Sequence, residues 1–157
     1  MLDTSNSVPP QFSLDADQIA VRDMARAFAG EVFAPNAVAW DERKHFPVAE
    51  MRKAAALGMG GVFIAEDVGG SGLSRLSGTL IFEALATGCP TVAAFMSIHN
   101  MTAWLIDAFG TSEQRMLWLP KLCTMEFLAS YCLTEPGVGS DAAALETRAV
   151  RDGEYYV

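Results

Sequence analysis

The chain has 157 residues, which is enough for one domain or for one domain and the start of another. Hydrophobic residues make up 51% of it and charged residues 19%, a balance that suits a packed globular core and excludes a disordered chain. The formal net charge is −8, and no stripe of Lys and Arg offsets it locally. This charge argues against a nucleic-acid-binding protein.

Residues 1–12 contain Ser, Asn and two adjacent prolines, and they are predicted to form a loose leader. They have no basic residue ahead of an apolar run, as a secretory signal would, and none of the arginines of an organelle transit peptide. The longest apolar stretch, from Thr91 to Phe109, is interrupted by His99, Asn100 and Asp107. It is therefore predicted to be a buried helix and not a membrane span.

Helix signals dominate the first half of the chain. Asp15 can cap a first helix, with Gln18 completing a capping box, and Pro35 ends or redirects that helix. Pro47 is predicted at the first position of another helix that reaches Leu57, with Gly58 as its left-handed terminator.

The segment from Gly60 to Leu73 is rich in glycine and is predicted to be an irregular connector. Two apolar helices are expected after it, one between Ser74 and Gly88 and one from Thr91 to Phe109.

A further helix is predicted from the capping-box pattern that begins at Thr111 and ends at Gln114. Pro120 lies inside this helix and is expected to kink or restart it.

The pattern changes to that of strands near Glu126. Residues 127–133 are aromatic and aliphatic, and the alternation that begins at Leu145 is typical of a strand. Asp152-Gly153 predicts a two-residue hairpin turn, followed by a returning strand that reaches Val157. We therefore predict a mainly α chain with a leader at 1–12, a helical domain at 13–125 and the start of a β domain at 126–157.

The final hairpin bears on whether this β domain is complete. An isolated two-stranded hairpin is marginal in water, and a stable sheet needs about three strands. We therefore expect the sheet to be incomplete within this sequence. The alternative is that the hairpin packs on the helices.

The three cysteines, Cys89, Cys123 and Cys132, are spaced like no metal or redox motif. No metal site is predicted from them, and we expect buried free thiols.

The segment Tyr131-Cys-Leu-Thr-Glu-Pro-Gly-Val-Gly-Ser-Asp141 is the one most suited to chemistry. Pro136 and Gly137 predict a type II turn, and Gly139 permits a second close backbone approach. Such a loop presents several N–H groups that can bind an oxyanion or the polar edge of a heterocycle. From the motif alone, a plain connector is the more frequent interpretation.

These residues resemble the signature of the acyl-CoA dehydrogenase family. Two upstream segments strengthen the resemblance, Gln114-Arg115…Trp118-Leu-Pro120 and Glu66-Asp-Val-Gly-Gly-Ser-Gly72. Further matches at 41–47, 82–88 and 97–101 are most similar to the branched short-chain members of the family, which act in valine breakdown.

The resemblance implies a fold and a reaction. The family has an N-terminal helical domain, a middle β-barrel domain and a C-terminal helical bundle, with FAD between the last two. A glutamate removes an α-proton, and the β-hydride passes to the flavin, giving a 2-enoyl-CoA. The implied partners are the acyl-CoA substrate, electron-transfer flavoprotein as acceptor and further copies in a homotetramer. The implied location is the bacterial cytoplasm or the mitochondrial matrix.

The resemblance also assigns a segment that lines the flavin, with the Thr134 hydroxyl near the ring and Ser140 also in contact with the acyl-CoA. Its residues are Tyr131, Cys132, Leu133, Thr134, Glu135, Pro136, Gly137, Val138, Gly139 and Ser140. Val138 departs from the family, which has a very small residue there, and its β-branch is expected to stiffen the loop.

No residue of this chain matches the catalytic glutamate of the family, so none is assigned a catalytic role and the isolated chain is expected to be inactive. Glu66 and Glu135 are expected to cap turns or face water, and His99 to be a hydrogen-bonded core histidine. Two alternatives remain open: a non-catalytic helical module that binds a partner or a CoA ester, and a flavin oxidase or monooxygenase of the same fold.

Overall fold

The computed structural model describes residues 13–157, and the predicted leader lies outside the described residues. The elements occur in the following order: α1 Ala16–Phe28, a π-helical turn Ala29–Phe33, α2 Ala37–Glu42, α3 Val48–Ala55, a 3₁₀ turn Glu66–Val68, α4 Arg75–Ala86, α5 Pro90–Phe109, α6 Ser112–Cys123, a 3₁₀ turn Ala142–Ala144, β1 Arg151–Asp152 and β2 Tyr155–Tyr156. The fold is mainly α, as predicted.

The start of α1 confirms the predicted capping box. The Asp15 carboxylate accepts the Gln18 N–H at 2.8 Å, and the Gln18 side-chain oxygen accepts the Asp15 N–H at 3.1 Å. The sequence did not predict the π turn that follows α1. Its wider turn places both Phe28 and Phe33 in the core, where their rings meet edge to face at 5.2 Å.

The α3 helix agrees with the prediction except at its ends. Pro47 is the residue before the first helical position, and the helix ends at Ala55. Gly58 has a φ of +87°, so the left-handed terminator is confirmed.

The glycine-rich connector is irregular, as predicted, but it is not loose. The buried Asn100 side chain on α5 accepts the Val62 N–H at 2.7 Å and donates to the carbonyls of Met59 and Met96 at 3.0 Å each. Since all three of these groups gain a partner, Asn100 holds the start of the connector against α5.

The helices pack in a chain of neighbours: α1 on α4, α4 on α5, and α5 on α6. The larger core lies between α1, α3, α4 and α5 and includes Phe33, Met51, Ile81, Leu85 and Met96. The smaller core lies between the connector, α5 and α6. It consists of Ile64, Val68, Ala103, Leu119, Leu122 and Cys123.

The predicted capping box at the start of α6 is present. The Thr111 hydroxyl accepts the Gln114 N–H at 3.3 Å, and the Gln114 side-chain oxygen accepts the Thr111 N–H at 2.8 Å. Pro120 lies inside this single helix, so the helix does not restart there. Of the two expected effects the restart is wrong, and the kink stays a prediction.

The strand prediction for 127–133 is wrong, because this segment has no ladder partner among the described residues. The strand predicted from Leu145 forms only at its end, where Val150 exchanges backbone hydrogen bonds with Val157 at 2.8 and 2.9 Å and Arg151–Asp152 is β1. A strand forms only when a neighbouring strand accepts its hydrogen bonds. The final hairpin does form, with Arg151 opposite Tyr156 and Asp152 opposite Tyr155.

The hairpin turn lies one residue later than predicted. Its two loop residues are Gly153 and Glu154, since Asp152 already belongs to β1. Gly153 alone has a positive φ, of 60°, which fits a turn that needs a left-handed residue only at its first position. Tyr155 is 77% exposed and Tyr156 is 71% exposed, so the alternative that the hairpin packs on the helices is wrong.

None of the described helices is long and apolar enough to cross a membrane.

Candidate functional site

The segment Tyr131–Ser140 follows the helical body, which comprises residues 16–123. It begins against α5, where the Tyr131 hydroxyl lies 3.7 Å from the sulfur of Met101. Leu133 is 42% exposed, and Thr134 and Ser140 are also exposed. The structure therefore presents both hydroxyls to the surroundings.

The loop turns at Pro136-Gly137. The Glu135 N–H donates to the Val138 carbonyl at 3.1 Å, and the Val138 N–H donates to the Glu135 carbonyl at 3.0 Å. The predicted turn is therefore present. The predicted type II geometry is wrong, because Gly137 does not have the positive φ that a type II turn requires at this position.

The Glu135 carboxylate closes the base of the loop. Its two oxygens accept the N–H groups of Glu146 and Thr147 at 2.9 Å each. Hydrogen bonds from Thr147 and from the Glu146 backbone lower the pKa of the Glu135 carboxyl. Contrary to the prediction, the Glu135 carboxylate therefore neither caps a turn nor simply faces water, but bonds the segment after the second 3₁₀ turn. Glu66 faces water, as predicted.

Val138 is 6% exposed and points into the loop, so its bulk lies on the inner side. It lines a cavity of about 300 Å³ together with Glu135, Pro136, Gly137, Ala144 and Glu146.

The outer side of the loop is open at both glycines. A Cβ added to Gly137 or Gly139 would meet no heavy atom within 4 Å, and neither residue has a positive φ. Neither the backbone conformation nor the packing of this chain therefore requires glycine at these two positions. Glycine at such a position permits close approach by a group from outside the chain.

The cysteines differ in environment. Cys89 and Cys123 are buried free thiols, as predicted, whereas Cys132 is exposed, so the prediction is wrong for that residue. Burial raises the pKa of the Cys123 thiol to about 11.

His99 is fully buried on α5 and is hydrogen-bonded on both sides of its ring. Its Nε2 lies 2.9 Å from the Leu122 carbonyl, and its Nδ1 lies 3.0 Å from the Ala129 nitrogen. Burial lowers the pKa of the imidazole, against a smaller effect of the Leu122 hydrogen bond. The prediction of a hydrogen-bonded core histidine is confirmed. Its partners lie 23 and 30 residues away, and no sequence signal marked them.

An apolar surface lies beside the same segment. A cleft of about 610 Å³ runs between α3, α6 and residues 126–129, and one of about 360 Å³ lies between α5 and α6. Ile106 and Trp118 line both clefts, which makes the surface continuous. Among the described residues, no group of three His, Cys, Asp or Glu side chains could hold a metal ion.

The six helices of the described chain define the protein as a mainly helical domain. Residues 15–126 match the family model described as the acyl-CoA dehydrogenase N-terminal domain, and the chain belongs to the acyl-CoA dehydrogenase family.

Two relatives are mitochondrial isobutyryl-CoA dehydrogenases. The one from Bos taurus is 55% identical over 96% of this chain and 36% of its own length. The one from Dictyostelium discoideum is 54% identical over 97% of this chain and 37% of its own length. The solved structure of PigA with FAD and proline superposes with a TM-score of 0.85 at 28% identity, covering 93% of this chain and 39% of that one. This chain thus spans little more than a third of the length of these relatives.

Proposed function

We propose that this chain supplies the helical domain and one wall of the flavin site of an FAD-dependent acyl-CoA dehydrogenase. The proposed substrate is a short branched acyl-CoA of the isobutyryl-CoA type, which the whole enzyme converts to the 2-enoyl-CoA. Identity of 55% and 54% to isobutyryl-CoA dehydrogenases supports the substrate class.

The pair of open glycines is the observation that carries the flavin assignment. FAD, when bound, accepts the hydride from the substrate. The backbone of Tyr131–Ser140 would hold the flavin edge, with the Thr134 hydroxyl near the ring and the Ser140 hydroxyl also facing the acyl-CoA. Gly137 and Gly139 would let the backbone approach the cofactor without a side chain between them.

The Glu135 carboxylate is assigned a positioning role and not a proton-transfer role. Both of its oxygens already accept backbone N–H groups, and its lowered pKa keeps it ionised. An ionised, fully engaged carboxylate is a poor general base. It would instead hold the loop in shape while substrate and cofactor bind.

The partners belong to the same proposal. An electron-transfer flavoprotein would reoxidise the reduced enzyme, and the whole protein would be a homotetramer. The relatives named mitochondrial support a location in the mitochondrial matrix in a eukaryote, and the bacterial counterpart would be cytoplasmic.

A chimeric enzyme tests the proposed function. Residues 15–157 would replace the matching third of the bovine isobutyryl-CoA dehydrogenase, and turnover of isobutyryl-CoA would be compared with that of butyryl-CoA. We expect a yellow protein that prefers the branched substrate. A colourless chimera that stays colourless after FAD is added would overturn the flavin assignment, and a preference for the straight chain would overturn the substrate class.

A glycine variant tests the site itself. Gly139→Leu places a side chain in the proposed path of the cofactor, whereas Gly30→Ala fills an equally open position on the π turn. In the chimera we expect the first variant to weaken FAD binding about tenfold or more, as expected when one close contact of about 1.4 kcal/mol is lost, and the second to leave it unchanged. Equal affinities for FAD would contradict the assignment of this loop.

A further inference from the structure

The two ring nitrogens of His99 have different roles. The Ala129 N–H can only donate, so Nδ1 accepts, at 3.0 Å. Nε2 therefore carries the proton and donates to the Leu122 carbonyl at 2.9 Å. One buried neutral ring thus joins the C-terminal end of α6 to the segment that leaves it.

The bond to Ala129 has a particular place along the chain. Among the described residues it is the last bond between the helical body and the main chain before the Tyr131–Ser140 loop. The next main-chain bonds, between Glu135 and Val138, are internal to the loop.

Upstream of Ala129 the same segment is held by a second side chain. The Arg52 guanidinium on α3 donates to the carbonyls of Met125 and Glu126 at 3.0 and 3.2 Å. Downstream, the long contact between Tyr131 and Met101 is a weak one. His99 is therefore the strong anchor nearest to the loop.

We propose that His99 is a positioning residue for the flavin loop, which it fixes by accepting the Ala129 N–H from within the helical core. This inference rests on the proposed function, since the loop is taken to line the flavin. The bond to Leu122 completes the end of α6, and the bond to Ala129 sets where the loop begins. His99 touches neither cofactor nor substrate.

Two amide variants separate the two bonds. The Oδ1 of asparagine stands in for Nδ1, so His99→Asn keeps the acceptor for Ala129 and loses the donor to Leu122. The Nε2 of glutamine stands in for the ring Nε2, so His99→Gln keeps the donor to Leu122 and loses the acceptor for Ala129. Both are uncharged and no larger than histidine.

The first measurement is amide hydrogen exchange of residues 127–134 in the full chain, which does not depend on FAD. We expect exchange about tenfold faster in His99→Gln and close to wild type in His99→Asn, because breaking one hydrogen bond of about 1.4 kcal/mol changes the open population about tenfold. Exchange in α4, which contacts neither bond, reports whether each variant keeps its fold.

The second measurement is FAD affinity and the absorbance spectrum of bound flavin in the chimeric enzyme. His99→Gln should lower the affinity about tenfold and shift the flavin bands, and His99→Asn should restore both. Equal effects of the two variants, or faster exchange in His99→Gln with unchanged FAD affinity, would overturn the positioning role. A wild-type chimera that binds no FAD would instead overturn the proposed function and the positioning role that rests on it, while the exchange data would still show whether His99 holds Ala129.

Discussion

Two adjacent buried side chains on α5, His99 and Asn100, connect this helix to the glycine-rich connector and to the segment that follows α6. Asn100 satisfies three backbone groups, and His99 satisfies two. Neighbouring residues on a helix point about 100° apart, so one helix can hold the glycine-rich connector on one side and the segment after α6 on the other. The sequence predicted a bonded core histidine but none of these partners.

The burial of His99 predicts how stability depends on pH. Its pKa is lowered in the folded state from an ordinary value of 6.5. Below that pH the imidazole binds a proton in the unfolded chain but stays neutral in the folded chain. The free energy of unfolding should therefore be steady above about pH 6.5 and fall as the pH drops, by at most about 1.4 kcal/mol per pH unit, until the folded-state pKa is reached. Urea unfolding at a series of pH values measures this slope.

Controls for this prediction use the two histidines of the chain. His99→Asn should flatten the slope between pH 6.5 and 5.5, because the titrating group is gone. His45→Asn at the other, exposed histidine is the matched substitution for comparison. A slope that persists in His99→Asn would assign it to other groups.

At the scale of elements, the contact between the end of α4 and the π turn depends on a glycine. A Cβ on Gly88 would lie 2.6 Å from the Ala29 carbonyl oxygen and 3.0 Å from the Ala29 Cβ. Because the obstructing atom belongs to the backbone, the two elements would have to move apart. The capping boxes of α1 and α6, by contrast, depend on residues within their own first turns.

Gly88→Ala is therefore expected to destabilise the protein by about 1–3 kcal/mol through overpacking. Gly30→Ala lies in the same π turn with open space around it, and we expect it to stabilise by about 0.4–1 kcal/mol through the loss of unfolded-state entropy. Urea unfolding of the two variants measures both changes. Equal changes of the same sign in the free energy of unfolding would show that the contact between Gly88 and Ala29 does not resist an added Cβ.

At the scale of the whole molecule, the burial of side chains stops at one point of the chain. Val138 is the last buried residue, and every residue from Gly139 to Val157 is exposed. Among the described residues, only the Glu135 carboxylate makes side-chain hydrogen bonds between this stretch and the preceding loop. It accepts the N–H groups of Glu146 and Thr147. The helical body is therefore the unit that carries the stability.

Removing residues 141–157 should consequently change the free energy of unfolding by no more than about 0.5 kcal/mol, as for surface changes in general. Leu119→Ala, at a fully buried position of the smaller core, should cost about 2–5 kcal/mol and serves as the positive control. Thermal and urea unfolding followed by helical circular dichroism provide the measurement. A loss of more than about 2 kcal/mol on truncation would mean that the segment packs on the helices.

The sequence by itself determined the elements whose signals are local. Asp15 and Thr111 cap their own helices, Gly58 ends a helix in a left-handed conformation, and the Pro136-Gly137 turn forms within four residues. The acyl-CoA dehydrogenase family could also be recognised from the sequence of the loop and of the segments upstream of it. These signals act over one turn of chain, so no distant contact is needed to interpret them.

Only the tertiary structure decided the rest. The strand predicted at 127–133 does not form and the one predicted from Leu145 forms only over 150–152, because a strand requires a hydrogen-bonded partner and the described chain brings one alongside only there. The bonds of His99 to Leu122 and of Asn100 to Met59, like the close approach at Gly88, join residues 23 to 59 positions apart. Hydrogen bonds and steric contacts depend on position in space, and for such residues only the packing of the helices sets that position.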